Sequence, residues 1–444
     1  MNASWTRYLP EILRERIEKH EQLQQILGNT GWLFAEKLIR LVTGVTLGVW
    51  VARYLGPGDF GLLSYATSFV LLFSAIGHLG LDAIVLRNIV HDPTKRDEIL
   101  GSALLLKLIG SIAAIILIVI SIFLLRPDDR TAQVLIMIMV IGTLFQALST
   151  IDLWFQSQVE SKYSSCVRTI VLLFIAAFKI YLILTHAPLI SFAWVGAADI
   201  IACSVGLIIA YRVTGLKITG WRFNRETANA LLKDSWPLMF ADILVLVYMR
   251  IDKIIIGEIA GNAELGVYSV AALITETFYF IPTIVSSSLF PSIIEAKYHD
   301  EELFYSRMQR LYNLMAFLAY CVAIPTTLMA HWLVPLVFGN SFRDAAPMLI
   351  GLSWAGVFIY FMIARSSFLT AMNWTRLHFV IDAFGCVISV LLYYLLIKKY
   401  GAMGAVIASG VSYWLLTHAL CFFYKPLRQT GIMMSKALLY PKFW

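Results

Sequence analysis

Residues 103–125 read ALLLKLIGSIAAIILIVISIFLL, a run of 23 positions with a single charge at Lys107. Coiled as an α-helix, such a run is about 34 Å long, enough to cross the roughly 30 Å hydrocarbon core of a bilayer. Similar runs recur at 134–148 and 379–397. The whole chain of 444 residues is 59% hydrophobic and only 14% charged, with a mean hydropathy of +0.76. A soluble domain is typically about a quarter charged and could not hide this much apolar surface. The membrane is therefore the solvent for most of the chain. Apolar runs and the charges between them place spans near 27–54, 59–84, 98–125, 131–158, 163–184, 187–212, 234–259, 264–292, 309–337, 346–372, 377–397 and 402–424, twelve in all.

An even number of spans puts both termini on one side, and the basic residues indicate which. Of the 35 lysines and arginines, 21 fall on the side of the N-terminus, 6 on the opposite side and 8 inside spans. Basic loops stay cytoplasmic, so both termini are expected in the cytoplasm, in a cytoplasmic membrane of bacterial or archaeal type. The same bias accounts for the net charge of +7, so the basic balance calls for no nucleic-acid partner. The first segment, Trp5 to Ile26, holds too many charges for a cleavable signal; Leu9, Leu13 and Ile17 give it the apolar side of an amphipathic helix. Five widely spaced cysteines, Cys166, Cys203, Cys321, Cys386 and Cys421, form no disulfide or metal-binding pattern and read as core residues.

An internal repeat sets the domain organisation. Gly56-Pro-Gly-Asp-Phe-Gly-Leu-Leu-Ser-Tyr-Ala66 matches Gly261-Asn-Ala-Glu-Leu-Gly-Val-Tyr-Ser-Val-Ala271 in pattern, 205 residues further on. Each copy is a glycine-bearing turn with an acid at the start of the next helix, where a carboxylate complements the helix dipole. A third Gly-x-x-Gly turn, Gly401 to Gly404, opens the last span. Six spans separate the copies, so the expected architecture is an all-α membrane protein of about twelve helices, in two six-helix lobes around a central cationic cleft. The expected divisions are a cytoplasmic amphipathic segment 1–26, a first lobe 27–212, a cytoplasmic linker 213–233, a second lobe 234–424 and a cytoplasmic tail 425–444.

Charges inside spans are expensive and mark function or pairing. The cations are Lys37, Arg40, Lys107, Arg168, Lys179, Arg250, Lys253 and Arg365. Lys37, Arg40, Gly44 and Gly48 share one helical stripe, and Arg250 and Lys253 share another, with Asp252 turned toward a neighbouring helix. Lys37, Arg40, Arg250, Lys253 and Lys107 are the candidates for an anionic substrate. Two structural alternatives stand beside that assignment: Glu36 neutralising Arg40 at i, i+4, and an acid on another span neutralising Arg250. Asp199, Glu276 and Asp242 are candidates for ion coupling. No phosphate-binding loop, zinc motif or nucleophile with its base is present, so neither an enzyme nor a metal or cofactor is expected.

Gly31-Trp-Leu-Phe-Ala-Glu-Lys-Leu-Ile-Arg-Leu, Val51-Ala-Arg-Tyr-Leu-Gly-Pro-Gly-Asp-Phe-Gly-Leu-Leu-Ser-Tyr, Tyr248-Met-Arg-Ile-Asp-Lys and Phe280-Ile-Pro-Thr-Ile-Val-Ser-Ser-Ser-Leu-Phe-Pro291 resemble the Wzx-type polysaccharide flippases of the multidrug/oligosaccharidyl-lipid/polysaccharide exporter superfamily. The resemblance runs through nearly the whole chain. It implies a transporter that carries undecaprenyl-diphosphate-linked repeat units from the cytoplasmic to the periplasmic leaflet for O-antigen, capsule or exopolysaccharide, among membrane lipids and other polysaccharide-assembly proteins. Arg40 and Arg250 resemble the cationic lining of such transporters, although position 45, the repeat partner of Arg250, is valine. The rivals are a multidrug exporter of the same superfamily, which would favour a carboxylate-lined cavity, and a membrane polymerase or ligase, which would need a larger outer loop. A lipid II flippase fits the charges but usually has fourteen spans.

Overall fold

The computed structural model describes residues 21–440, so nearly all of the N-terminal amphipathic segment lies outside the described residues. Within them every regular element is a helix. In chain order these are α1 (Glu21–His78), α2 (Leu81–His91), α3 (Arg96–Leu125), α4 (Arg130–Phe145), α5 (Thr150–Ser157), α6 (Lys162–Leu184), α7 (Leu189–Val213) and α8 (Arg225–Ile259). There follow α9 (Asn262–Thr277), α10 (Phe280–His299), α11 (Glu301–Phe338), α12 (Ala345–Ala371), α13 (Thr375–Trp414), α14 (Leu420–Phe423) and α15 (Arg428–Leu439).

Among the described residues nine helical segments are long and apolar enough to cross a membrane. Two of them contain a break in the helix. The 58-residue α1 breaks at Gly56, with φ 73° and ψ 175°, and the 40-residue α13 breaks at Gly401, with φ 59°. Positive φ is cheap only without a Cβ, so glycine places both breaks. The 35-residue α8 has the length for a further crossing, but Arg250, Asp252 and Lys253 make it the most charged of the long helices in its membrane half. The helix pattern is consistent with twelve crossings.

The repeat is visible in the backbone. Gly261, the counterpart of Gly56, has φ 90° and ψ 171°, nearly the same left-handed break. Five residues on, Gly61 lies against the carbonyl of Asn262 and Gly266 against the carbonyl of Pro57, so closely that a Cβ on either glycine would overlap the oxygen. Each contact is the other with 205 added to one partner and removed from the other. Two copies of one turn thus meet face to face across an approximate twofold, which only glycine permits.

The chain packs as two compact units, one of residues 1–47 with 73–242 and one of 48–72 with 243–444. In the first, Leu81, Val85, Leu100, Ala103 and Leu231 are fully buried in a core formed by α2, α3 and the start of α8. The segment before α8 is fastened to that core. Arg222 N–H donates to the Asp97 carbonyl (3.0 Å), the Asn224 N–H donates to Ser102 Oγ (3.1 Å), and Gly101 lets the Arg222 backbone come close. In the second unit Phe304, Met308, Tyr312, Phe361 and Phe368 fill a core between α11 and α12. Cys386 and Cys421 are buried and Cys203 is half-buried, but Cys166 and Cys321 are exposed, which corrects the expectation of five core cysteines. A thiol behaves as a small hydrophobe, and an outward face of a membrane helix is itself an apolar setting.

Candidate functional site

In the first unit the membrane charges assemble around one carboxylate. Glu36 on α1 is buried, and it accepts from Arg40 Nη2 one turn later (3.2 Å) and from Arg168 Nε on α6 (3.0 Å). Arg168 also reaches Asp152 on α5 through Nη1 (2.9 Å), and Gln156 donates to the same Asp152 oxygen (2.9 Å). Two arginines and two acids balance, so the network is neutral. The alternative pairing of Glu36 with Arg40 is therefore present, extended by a second arginine. Lys37, next to Glu36, is exposed and has no ion-pair partner among the described residues. Gly44 borders open space, whereas Gly48 sits against the Leu273 side chain, so only the start of the expected stripe is open.

Lys107 on α3 is wholly buried, with its ammonium 2.6 Å from Asp82 Oδ1 and 3.2 Å from Ser149 Oγ. Those two acceptors satisfy it where it lies, and contact with a substrate would require the Asp82 pair to open. Asp199 on α7 lies 4.0 Å from the Cys203 thiol, one turn away on the same helix. Asp242 on α8 is exposed, with no ion-pair partner among the described residues.

The second unit repeats the device with a different balance. Glu276 on α9 accepts from Lys253 Nζ (2.9 Å) and faces Arg250 Nη1 at 3.4 Å, so one carboxylate serves two cations of α8. Asp252 does turn away, as expected from its position on the helix. It accepts the Tyr268 hydroxyl (2.6 Å) and the Lys253 N–H (2.8 Å) and is buried. The Arg250–Lys253–Glu276 group keeps one positive charge beyond its own acid, with Arg250 and Glu276 partly open.

A second group in this unit had no assigned role from sequence. Arg365 on α12 is almost completely buried; its Nη1 donates to the carbonyls of Leu416 and Thr417, freed where the helix after α13 widens into a π-turn, and its Nε has no partner. It lines a cavity of about 290 Å³ with Tyr248, Met249, His378 and Asp382, and His378 Nε2 lies 3.4 Å from Asp382. The i, i+4 spacing of His378 and Asp382 is readable in sequence; the approach of Arg365 from another helix is not. Among the described residues no group of three or more His, Cys, Asp or Glu could hold a metal ion.

Comparison with known proteins gives the chain a family. The model of the family described as "Polysaccharide biosynthesis protein" matches residues 26–297, more than half of the chain. The chain belongs to that family. Among curated proteins, this polysaccharide biosynthesis family member is 25% identical to a putative O-antigen transporter of Shigella flexneri over 87% of its own length and 94% of the relative's. It is 20% identical to the capsular polysaccharide biosynthesis protein CapF of Staphylococcus aureus, over 89% and 98% of the two chains. Among solved structures, an inward-facing multidrug resistance MATE transporter of the MOP superfamily superposes with a TM-score of 0.68 at 15% identity, covering 89% of this chain and 95% of that one. Lipid II flippase MurJ in an inward closed conformation gives 0.66 at 14% identity, covering 94% and 91%. At such identities the structures establish the fold that the family member adopts.

Proposed function

We propose that this protein flips polyprenyl-diphosphate-linked oligosaccharide repeat units from the cytoplasmic to the periplasmic leaflet, for O-antigen, capsule or exopolysaccharide assembly. The observation that carries the reading is the pair Arg250 and Lys253 sharing one acid, Glu276, inside a family of polysaccharide biosynthesis proteins. Glu276 offsets one of the two cations, while the second acid nearby, Asp252, is turned to the Tyr268 hydroxyl and the Lys253 N–H; an anion is what the Arg250 and Lys253 side chains attract. Arg250 offers a planar fork to phosphate oxygens and Lys253 a point charge, both by charge-assisted hydrogen bonds. Glu276 holds them apart while the site is empty and yields them to the diphosphate. Within the first unit, Lys37, exposed and without an ion-pair partner among the described residues, and Arg40 in exchange with Glu36 are the groups that an anion would meet. The glycan occupies water-filled space and the polyprenyl chain stays in lipid.

Glu276, Asp199 and Asp242 are the carboxylates through which an ion gradient would enter, Glu276 first because it already changes partners in this scheme. No chemical bond is made or broken, and the protein acts as a transporter. A multidrug exporter shares the fold, but its cationic cargo would be repelled by the Arg250 and Lys253 side chains that share Glu276. Purification in mild detergent followed by mass spectrometry of bound lipid tests the reading. A co-purifying prenyl-diphosphate glycan supports it, and loss of that species in Arg250→Ala assigns it to this group. Recovery of cationic amphiphiles in its place would overturn it.

A further inference from the structure

Away from the charged groups above, α10 and α11 enclose a second cavity of about 290 Å³ that mixes two arginines with an apolar wall. We propose that this pocket seats the phosphodiester headgroup of an anionic phospholipid, with the first methylenes of its chains on the leucines beside it. Arg307, Arg310, Leu311 and Leu314 fall at i, i+3, i+4 and i+7 on one face of α11, opposite Leu289 and Ile293 of α10. Arg307 is fixed in place, since its Nη1 donates to the Ser292 carbonyl and lies 3.3 Å from Glu295 Oε2. Arg310 is exposed and has no ion-pair partner among the described residues.

Depth places these groups at a headgroup. Helix α11 ends at Phe338, where Gly339 turns the chain with φ 93°. Arg310 stands 28 residues earlier, about 42 Å along the axis, against a hydrocarbon core of about 30 Å and about 40–45 Å with headgroups included. Bends at Pro325 and Pro335 shorten that projection. With the Phe338 end at one interface, both guanidinium groups reach the polar layer of the other, while Leu314, one turn further in, meets acyl chain. Basic pockets between membrane helices at this level suit lipid headgroups.

Charge selects the occupant. Two guanidiniums less the Glu295 carboxylate leave one positive charge, which matches the single charge of a phosphodiester. A prenyl diphosphate brings more than one and would be under-matched. The pocket shares no residue with the Arg250, Lys253 and Glu276 group, so it stands or falls independently of the transport reading.

The test uses the full-length protein in detergent, incubated with dioleoyl-phosphatidylglycerol or dioleoyl-phosphatidylcholine and examined by native mass spectrometry. Phosphatidylglycerol adducts are expected to survive collisional activation at least fivefold better than phosphatidylcholine adducts. Arg310→Gln should erase that preference, and Arg130→Gln, an exposed arginine in the other unit, should retain it. Leu314→Trp, which fills the cavity with both arginines in place, should also weaken retention and covers the case in which the arginine variant folds poorly. Equal retention of the two lipids, or an undiminished preference in Arg310→Gln, would overturn the proposal. So would farnesyl diphosphate displacing phosphatidylglycerol at equimolar concentration, because the pocket would then belong to the substrate.

Discussion

Glu276 lies between Arg250 and Lys253, and the consequences of removing each member differ. Glu276→Gln leaves two neighbouring cations without their shared acid, at a cost of about 1–3 kcal/mol given that the carboxylate is one-third exposed. The expected outcome is a lower melting temperature of the purified protein, with a further loss of transport if Glu276 also passes an ion. Arg250→Ala removes one of the two cations and leaves Lys253 to satisfy Glu276, so the fold should hold. It should fail to complement a flippase-null strain while reaching the membrane at normal levels. Arg250→Lys then discriminates between roles: an ammonium serves as counter-ion to Glu276 but does not replace a fork that grips phosphate oxygens. Full complementation by the lysine variant would make Arg250 a structural partner. The sequence exposed the cations, because eight basic residues in apolar spans stand out against a cost of about 3 kcal/mol each. It exposed one partner, Glu36 for Arg40, and not the others. Glu36 to Arg40 is a one-turn step along a helix, but Glu36 to Arg168 spans 132 residues and Glu276 to Lys253 spans 23, and no local spacing encodes either meeting. Arg365 was the hardest to place for the same reason, since what it binds is two carbonyls of a π-turn that has no sequence signature.

Helices and their breaks were far more legible than side-chain partners. An apolar run of membrane length dictates a helix because backbone groups in lipid must be bonded internally. Gly56 and Gly261 were visible as turns because an acid follows the glycine, and Gly401 because Gly404 repeats the Gly-x-x-Gly spacing; all three have positive φ. Glu264 shows one use of that acid: its Oε2 accepts the Ala402 N–H (2.7 Å) at the helix start after Gly401. The repeat was also readable, but the contact between its copies was not, since pattern similarity carries no information on which surfaces meet. That contact yields a symmetric prediction. Gly61→Ala pushes a methyl into the Asn262 carbonyl and Gly266→Ala pushes one into the Pro57 carbonyl, and backbone cannot give as a side chain can. Each should destabilise the protein by about 1–3 kcal/mol, by similar amounts, as read from thermal unfolding in detergent. Gly58→Ala, with open space around its Cβ, is the control that should be neutral. A large effect at Gly61 with none at Gly266 would show that the two copies do not bear on one another.

At the scale of the whole molecule, the distribution of basic residues makes a claim about sidedness that helix geometry does not. Of the cations in loops and at span ends, 21 fall on one side and 6 on the other, and the larger share is expected in the cytoplasm because translocating Lys and Arg is disfavoured. Reporter fusions after Lys95, Trp221 and Lys297 should therefore read cytoplasmic, and those after Asp128, Asn262 and Asn340 periplasmic. The prediction is demanding because each fusion depends on every span before it. Two places bear the most weight. The break at Gly56 lies inside one continuous run of helix, so only a true reversal there puts Lys95 on the cytoplasmic side. The charged α8 is less apolar than its neighbours, so only a true crossing there puts Trp221 and Asn262 on opposite sides. If α8 instead lay along the surface, every fusion after it would invert, and Asn262 would read cytoplasmic and Lys297 periplasmic. Arg250, Lys253 and Glu276 would then be interfacial, where cations need no special partner. The transport reading of that group thus depends on α8 crossing, and a cytoplasmic signal after Asn262 would remove its physical basis.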